Sequence, residues 1–267
     1  MGAVDDGAGS TVRSTDGTPI AVWRAGTGPP ILLVHGSLSD HATFDPLIAE
    51  LHDMACFAMD RRGFGSSGDG GDYSIEREFE DVAAVVDAIA TRAEDLVTVL
   101  GHSYGAGCAM GGAGLTGNVR TLLLYEPGLG LAYQPGTIDA IEEKLATGRA
   151  DDAIEMVLVD IVGISPDELA SFRSSPRWPV FVAGVPLVVR EARVEHGWVY
   201  EPGMFDGITA PALFLAGSES PEPLREATER AAAAIGAPIR VLDGHGHLAT
   251  RTDPALVAGI IRDRLSA

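Results

Sequence analysis

LVTVLGHSYGAG, residues 96–107, decides how the chain is read. A run of valine and leucine stops at Gly101, and a serine stands within Gly-His-Ser-Tyr-Gly ahead of a string of small residues. LVTVL predicts a buried strand, and the small residues after Ser103 predict a helix packed closely on it. Glycines at 101 and 105 suit a sharp turn in which Cβ atoms would clash. Such a turn lifts a serine above a sheet and sets a helix N-terminus beneath it, where developing negative charge is favoured. Ser103 is therefore the candidate nucleophile, in the only G-x-S-x-G of the chain.

Outward from this stretch, strand and helix patterns alternate. Residues 1 to 9 read as a loose tail. STVRS and IAVWRA form a hairpin around Asp16-Gly17. PPILLVHG and MACFAMD are buried strands, separated by a helical HATFDPLIAEL. SIEREFEDVAAVVDAIA places Phe79, Val82, Val85, Val86 and Ile89 on one helix face. TLLLYEP is a further strand. From Gly128 to Asp206 strand alternation is lost, and helical fragments IDAIEEKLA, DDAIEMVLVDIV and PDELASF are broken by Gly and Pro. PALFLAG resumes the strands, PEPLREATERAAAAIG is a helix, PIRVLDG a strand and PALVAGIIRDRL a final helix. This order predicts an α/β protein with a mostly parallel sheet covered by helices on both faces. The core comprises residues 1–127 and 207–267, and 128–206 is a helical insertion. Binding sites in such sheets gather at the carboxyl ends of the strands.

Composition narrows the function classes. The chain has 267 residues and ample length for a core, with 19 Lys plus Arg against 38 Asp plus Glu and a net charge of −19. Such a surface repels phosphate backbones and anionic lipid heads, so neither nucleic acid nor a membrane surface is an expected partner. Cys56 and Cys108 lie in apolar or small-residue runs and read as buried free thiols in a reducing compartment. The first residues carry acids and no apolar leader, and no stretch is long enough to span a bilayer, so the expected location is the cytoplasm.

Four motifs occupy strand ends: VHGS at 34–37, DRRGFGSSG at 60–68, GHSYG at 101–105 and DGHGH at 243–247. Together, from about residue 18 to 265, they resemble the α/β-hydrolase family. The resemblance implies an α/β-hydrolase fold whose helical insertion is a lid over the nucleophile. DRRGFGSSG reads as a structural mark of that fold. The amides of Ser37 and Tyr104 are the candidate oxyanion-hole donors. A serine needs a base to take its proton, and DGHGH offers His245 and His247. The family pattern assigns the base to His247 and leaves His245 as a loop residue.

The acid departs from the common pattern. The family usually carries Gly-x-x-Asp after the strand that follows the insertion, and here that position holds Ser220, with Glu219 one residue early. Some members, haloalkane dehalogenases among them, carry the acid after the preceding strand, where this chain has Glu126. Pro127 is expected to hold Glu126 extended. A carboxylate closing a strand of leucines needs a partner, which an imidazole would supply. Glu126 is therefore the expected acid and Glu219 the fallback.

The resemblance implies a serine hydrolase that cleaves an ester, thioester or lactone of a largely apolar small molecule through an acyl-enzyme on Ser103. No metal or organic cofactor is implied. Tyr133, Phe172, Trp178, Phe181, Trp198 and Tyr200 of the insertion are candidates for an apolar pocket, and Arg173, Arg177, Arg190 and Arg193 for contacts to a substrate carboxylate. The alternatives are C–C bond hydrolysis, perhydrolase, lyase or acyl-transfer chemistry by the same residues, or a ligand-binding receptor with little turnover. Dehalogenase and epoxide hydrolase chemistry is disfavoured, because those relatives carry Asp where this chain has Ser103.

Overall fold

A computed structural model describes residues 9–161, 164, 166–176 and 178–265. The tail reading for residues 1 to 8 and the candidate Arg177 lie outside the described residues. The chain divides into two compact units, Met1–Gly128 with Tyr200–Ala267 and Leu129–Val199.

The first unit holds one eight-stranded sheet. Its strands are β1 (Ser10–Arg13), β2 (Pro19–Ala25), β3 (Pro30–Val34), β4 (Ala55–Met59), β5 (Val97–His102), β6 (Val119–Tyr125), β7 (Ala212–Gly217) and β8 (Ile239–Leu242). They lie in the order β1-β2-β4-β3-β5-β6-β7-β8. The β1–β2 and β2–β4 pairs are antiparallel, and every pair from β4 to β8 is parallel. This is the mostly parallel sheet expected from the alternation of strands and helices. β3 and β4 are buried along their whole length, which is why they read as continuous apolar runs rather than alternating ones.

On one face, Ile31, Leu33, Cys56, Ala58, Leu100, Leu123 and Leu215 pack with α1 (Asp45–Glu50) and the helix Pro254–Leu265 through Leu47, Val257, Ile260 and Ile261. α2 (Ile75–Ala93) and α3 (Tyr104–Ala113) pack on each other and on β3 and β5. α2 buries the periodic Phe79, Val82, Val85, Val86 and Ile89. The expected helix over HATFDPLIAEL is split into a 3-10 turn, His41–Phe44, and the short α1, with Pro46 in the first turn of α1. Cys56 and Cys108 are not joined in a disulfide, and both are buried.

Register brings the strand tips into one row. Val34 pairs with Gly101, His102 with Tyr125, Tyr125 with Leu215, and Gly217 with Leu242. The residues that follow each tip therefore share the carboxyl edge of the sheet.

The second unit contains α4 (Thr137–Ala146), α5 (Ala150–Met156), a π turn (Val157–Ile161), α6 (Pro166–Ser174) and α7 (Trp178–Gly197). Its core includes Ile141, Ile154, Val157, Val185, Val188 and Ala192. Sequence reading missed α7, because Pro179, Gly184 and Pro186 suggest breaks. Pro186 nonetheless lies inside the helix. Residues 200–206, expected in the insertion, group with the sheet unit, where Phe205 is buried and lies 6.1 Å from the Tyr200 ring. Among the described residues no helix is long and apolar enough to cross a membrane.

Candidate active site

Ser103 is the junction between β5 and α3, with φ 56° and ψ −129°. An L-residue in this region carries strain of about 1–3 kcal/mol, held only when the surroundings over-determine it. Here the Ser103 N–H donates to Tyr125 O at 2.9 Å, and Ser103 O accepts from Ala106 N–H at 2.8 Å. The flanking glycines are required by close approach rather than by dihedral angle. A Cβ at 101 would lie 2.5 Å from Ala106 Cα, and one at 105 would lie 2.3 Å from His35 O. The small residues after Ser103 thus let α3 seat directly on the strand ends.

Positive φ among the described non-glycine residues occurs at Leu38, Glu94, Ser103 and Glu126. Glu94 caps α2. The other three follow β3, β5 and β6 at one edge of the sheet. Residues held in such conformations cluster at active sites and ligand clamps.

Glu126 overturns one expectation. Pro127 does not hold it extended, since its φ is 46°. Tertiary hydrogen bonds outweigh the local preference. The Glu126 N–H donates to Leu215 O at 3.1 Å, Oε1 accepts from Gly217 N–H at 2.6 Å, and Oε2 lies 2.6 Å from His247 Nδ1. The carboxyl group is fully buried, and the His247 side chain is partly exposed. Burial of this acid is thus compensated by a backbone amide and an imidazole. Glu219 is exposed, and its N–H donates to His245 O at 2.9 Å. His245 turns instead to Asp243 O and Asp253, at 2.7 and 3.1 Å. Ser220, at the family's usual acid position, is buried.

The His247 loop is held by two residues that sequence reasoning did not single out. His102 Nε2–H donates to His247 O at 2.7 Å, and the two rings lie 4.5 Å apart. Burial, followed by the neighbouring His247 ring, lowers the His102 pKa to about 3, so it stays neutral. The Tyr125 hydroxyl donates to Gly246 O and accepts from Ala249 N–H at 3.3 Å. The signal available in the sequence was position alone: both residues are the last of their strands. Among the described residues the Ser103 hydroxyl makes no hydrogen bond, and the His247 ring bonds only Glu126.

The loop after β3 runs against Ser103. Gly36 approaches so closely that a Cβ there would sit 2.7 Å from Ser103 Cβ. Ser37 is half-buried, and Tyr104 is buried at the start of α3. His35 is buried, with Nδ1 2.7 Å from Gly36 O and Nε2 accepting from the Arg61 N–H at 3.0 Å. Asp60, Arg61 and Arg62 of DRRGFGSSG are buried and form a network. Arg61 pairs with Glu78 at 2.9 Å, Arg62 with Asp81 at 2.7 Å, and Asp60 accepts from Trp23, His41 and Ser66. In the helical unit, Arg173 pairs with Glu155, and Arg193 with Asp139 and Glu142, so these two candidates engage acids of their own unit. Among the described residues no three His, Cys, Asp or Glu side chains gather where they could hold a metal.

This arrangement places a strained serine, a buried carboxylate bonded to an imidazole, and a helix N-terminus along one sheet edge. Comparison with known proteins agrees. Residues 31–260 match the Alpha/beta hydrolase family. The structure is similar to that of an alpha/beta hydrolase from Sphaerobacter thermophilus, with a TM-score of 0.79, 31% identity and coverage of 96% of this chain and 100% of that one. It is similar in fold to the enol-lactonase from Burkholderia xenovorans, with a TM-score of 0.73, 20% identity and coverage of 97% and 100%. A segment of 87 residues is 36% identical to 2-(acetamidomethylene)succinate hydrolase of Mesorhizobium japonicum, spanning 32% of this chain and 30% of that protein. With its motifs on the strand tips where such chemistry is built, the chain belongs to the alpha/beta hydrolase family.

Proposed function

We propose that the protein is a serine hydrolase that cleaves a carboxylic ester, thioester or lactone of a largely apolar small molecule. His247 takes the proton of Ser103, whose oxygen attacks the carbonyl carbon. The Ser37 and Tyr104 amides hold the resulting oxyanion. His247 then returns the proton to the leaving oxygen or sulfur, and water cleaves the acyl-enzyme by the same route. Glu126 keeps His247 in the Nδ1–H tautomer, which leaves Nε2 free to act as base. The observation that carries the reading is the 2.6 Å contact of His247 Nδ1 with the fully buried Glu126. The helical insertion is proposed as the substrate-selecting lid, with its aromatic residues as candidates for apolar recognition. No metal or organic cofactor takes part, and the proposed setting is the cytoplasm.

The test is fluorophosphonate labelling of wild type and Ser103→Ala by intact mass, with p-nitrophenyl esters from acetate to decanoate as substrates. A substituted succinate belongs in the panel because of the local match to the Mesorhizobium enzyme. Labelling and turnover by wild type alone are expected. Absence of both in wild type would refute the acyl-enzyme reading and favour a receptor or a different reaction.

A further inference from the structure

Arg61, the first arginine of the DRRG loop, lies behind the loop that follows β3. Arg61 is fully buried. Its Nε–H donates to His35 O at 2.7 Å, its Nη2–H to Gly36 O at 3.3 Å, and its Nη1–H to Glu78 Oε1 at 2.9 Å. One planar guanidinium thus grips two successive carbonyls of the loop after β3 and a carboxylate behind it, which its rigid fork suits. The same guanidinium lies 4.9 Å from the Tyr104 ring and 4.8 Å from the Phe64 ring.

His35 completes the grip. Its Nε2 accepts the backbone N–H of Arg61, so the ring proton is on Nδ1 and is donated to Gly36 O at 2.7 Å. Burial, followed by the Arg61 charge, lowers the His35 pKa to about 3, and the ring keeps its acceptor. Gly36 O therefore receives two donors from the protein interior. In a trans peptide the carbonyl and the following N–H point in opposite directions, and no peptide bond here is cis. Anchoring Gly36 O on Arg61 and His35 turns the Ser37 N–H away from them, beside a glycine that lies against Ser103.

We infer that Arg61, with His35, is a positioning residue for the oxyanion hole: it locks the Gly36–Ser37 peptide so that the Ser37 N–H stands ready beside Ser103, and it backs the Tyr104 residue that supplies the second amide. The inference rests on the acyl-enzyme reading above. A preoriented donor costs no reorganisation when charge develops, and loss of one such donor lowers kcat by about 100- to 1000-fold.

Removing Arg61 alone takes the counter-charge from the buried Glu78 carboxylate, so the test uses Arg61→Met/Glu78→Gln, which removes both charges together. Arg61→Lys is the second variant; it keeps a cation for Glu78 and loses the fork. Thermal melting checks folding. The readouts are kcat and KM on a p-nitrophenyl ester, and Ki for an alkyl trifluoromethyl ketone, whose adduct with Ser103 carries the oxyanion. The expected result is a fall in kcat of about 100-fold or more with KM little changed, and a ketone Ki raised by the same factor as kcat/KM falls. A role in folding alone would lower Tm without that parallel. Folded variants with wild-type kcat and Ki would overturn the inference while leaving the acyl-enzyme reading intact. A wild type that neither turns over esters nor binds the ketone would overturn both.

Discussion

Replacing Glu126 by glutamine tests the site at the atom. Oε1 accepts the Gly217 N–H and Oε2 faces His247 Nδ1, both at 2.6 Å. An amide has one acceptor oxygen. The buried Gly217 N–H requires it, because an unpaired buried donor costs about 1–3 kcal/mol. The glutamine NH2 is then forced toward His247 Nδ1, which must become an acceptor. The ring proton moves to Nε2, and the nitrogen that should deprotonate Ser103 no longer can. Tautomer inversion of this kind costs on the order of 10,000-fold in turnover, or about 5.4 kcal/mol of transition-state stabilisation. Folding should be little affected, since the amide keeps the Gly217 bond. The assay is kcat/KM on p-nitrophenyl esters, with fluorophosphonate labelling rate as a second readout and Tm as the control. Glu219→Gln, at an exposed position, should remain within about threefold, as surface substitutions usually do. Glu126→Gln within tenfold of wild type, or Glu219→Gln as impaired as Glu126→Gln, would refute the assignment of the acid.

Three further outcomes are expected. His35 and His102 stay neutral in the fold down to about pH 3, against an ordinary value of 6.5. The unfolded chain therefore binds two more protons in that window. Their contribution to stability is fully present above pH 6.5 and declines as pH falls toward 3, by up to about 2.7 kcal/mol per pH unit. Urea unfolding at pH 7.5, 6 and 5 measures the slope, and His102→Gln should remove about half of it; a flat profile contradicts the neutral assignment. Gly36→Ala places a methyl 2.7 Å from Ser103 Cβ and 3.3 Å from its hydroxyl, so ester turnover should drop about 100-fold through displacement of either loop. Wild-type kinetics in that variant would mean that the loop yields freely. His102→Leu removes the donor to His247 O and should lower kcat at nearly constant KM, whereas His102→Gln retains a donor and should restore most of it; equal kinetics in the two would deny His102 a hold on the His247 loop.

What the sequence by itself determined was local and periodic. Apolar runs marked the strands, the 3.6-residue stripe of Phe79 to Ile89 marked α2, and glycines flanking Ser103 marked a junction where only a missing side chain fits. These depend on neighbours a few residues away, and they were sufficient for the fold class and for Ser103 as a candidate; the choice of His247 over His245 came from the resemblance to the α/β-hydrolase family. α7 escaped because its prolines and glycine are poor helix signals that packing within its own unit overrides. Only the tertiary structure decided the rest. Glu126 and His247 are 121 residues apart in sequence and 2.6 Å apart in space. Pro127 argues locally for an extended Glu126, and bonds to Leu215, Gly217 and His247 hold it at positive φ instead. Arg61 reads as part of a loop motif until the fold sets it behind His35, Gly36 and Tyr104. A hydrogen bond between strand ends depends on sheet order and register, and those are settled by which apolar faces bury together across the whole chain.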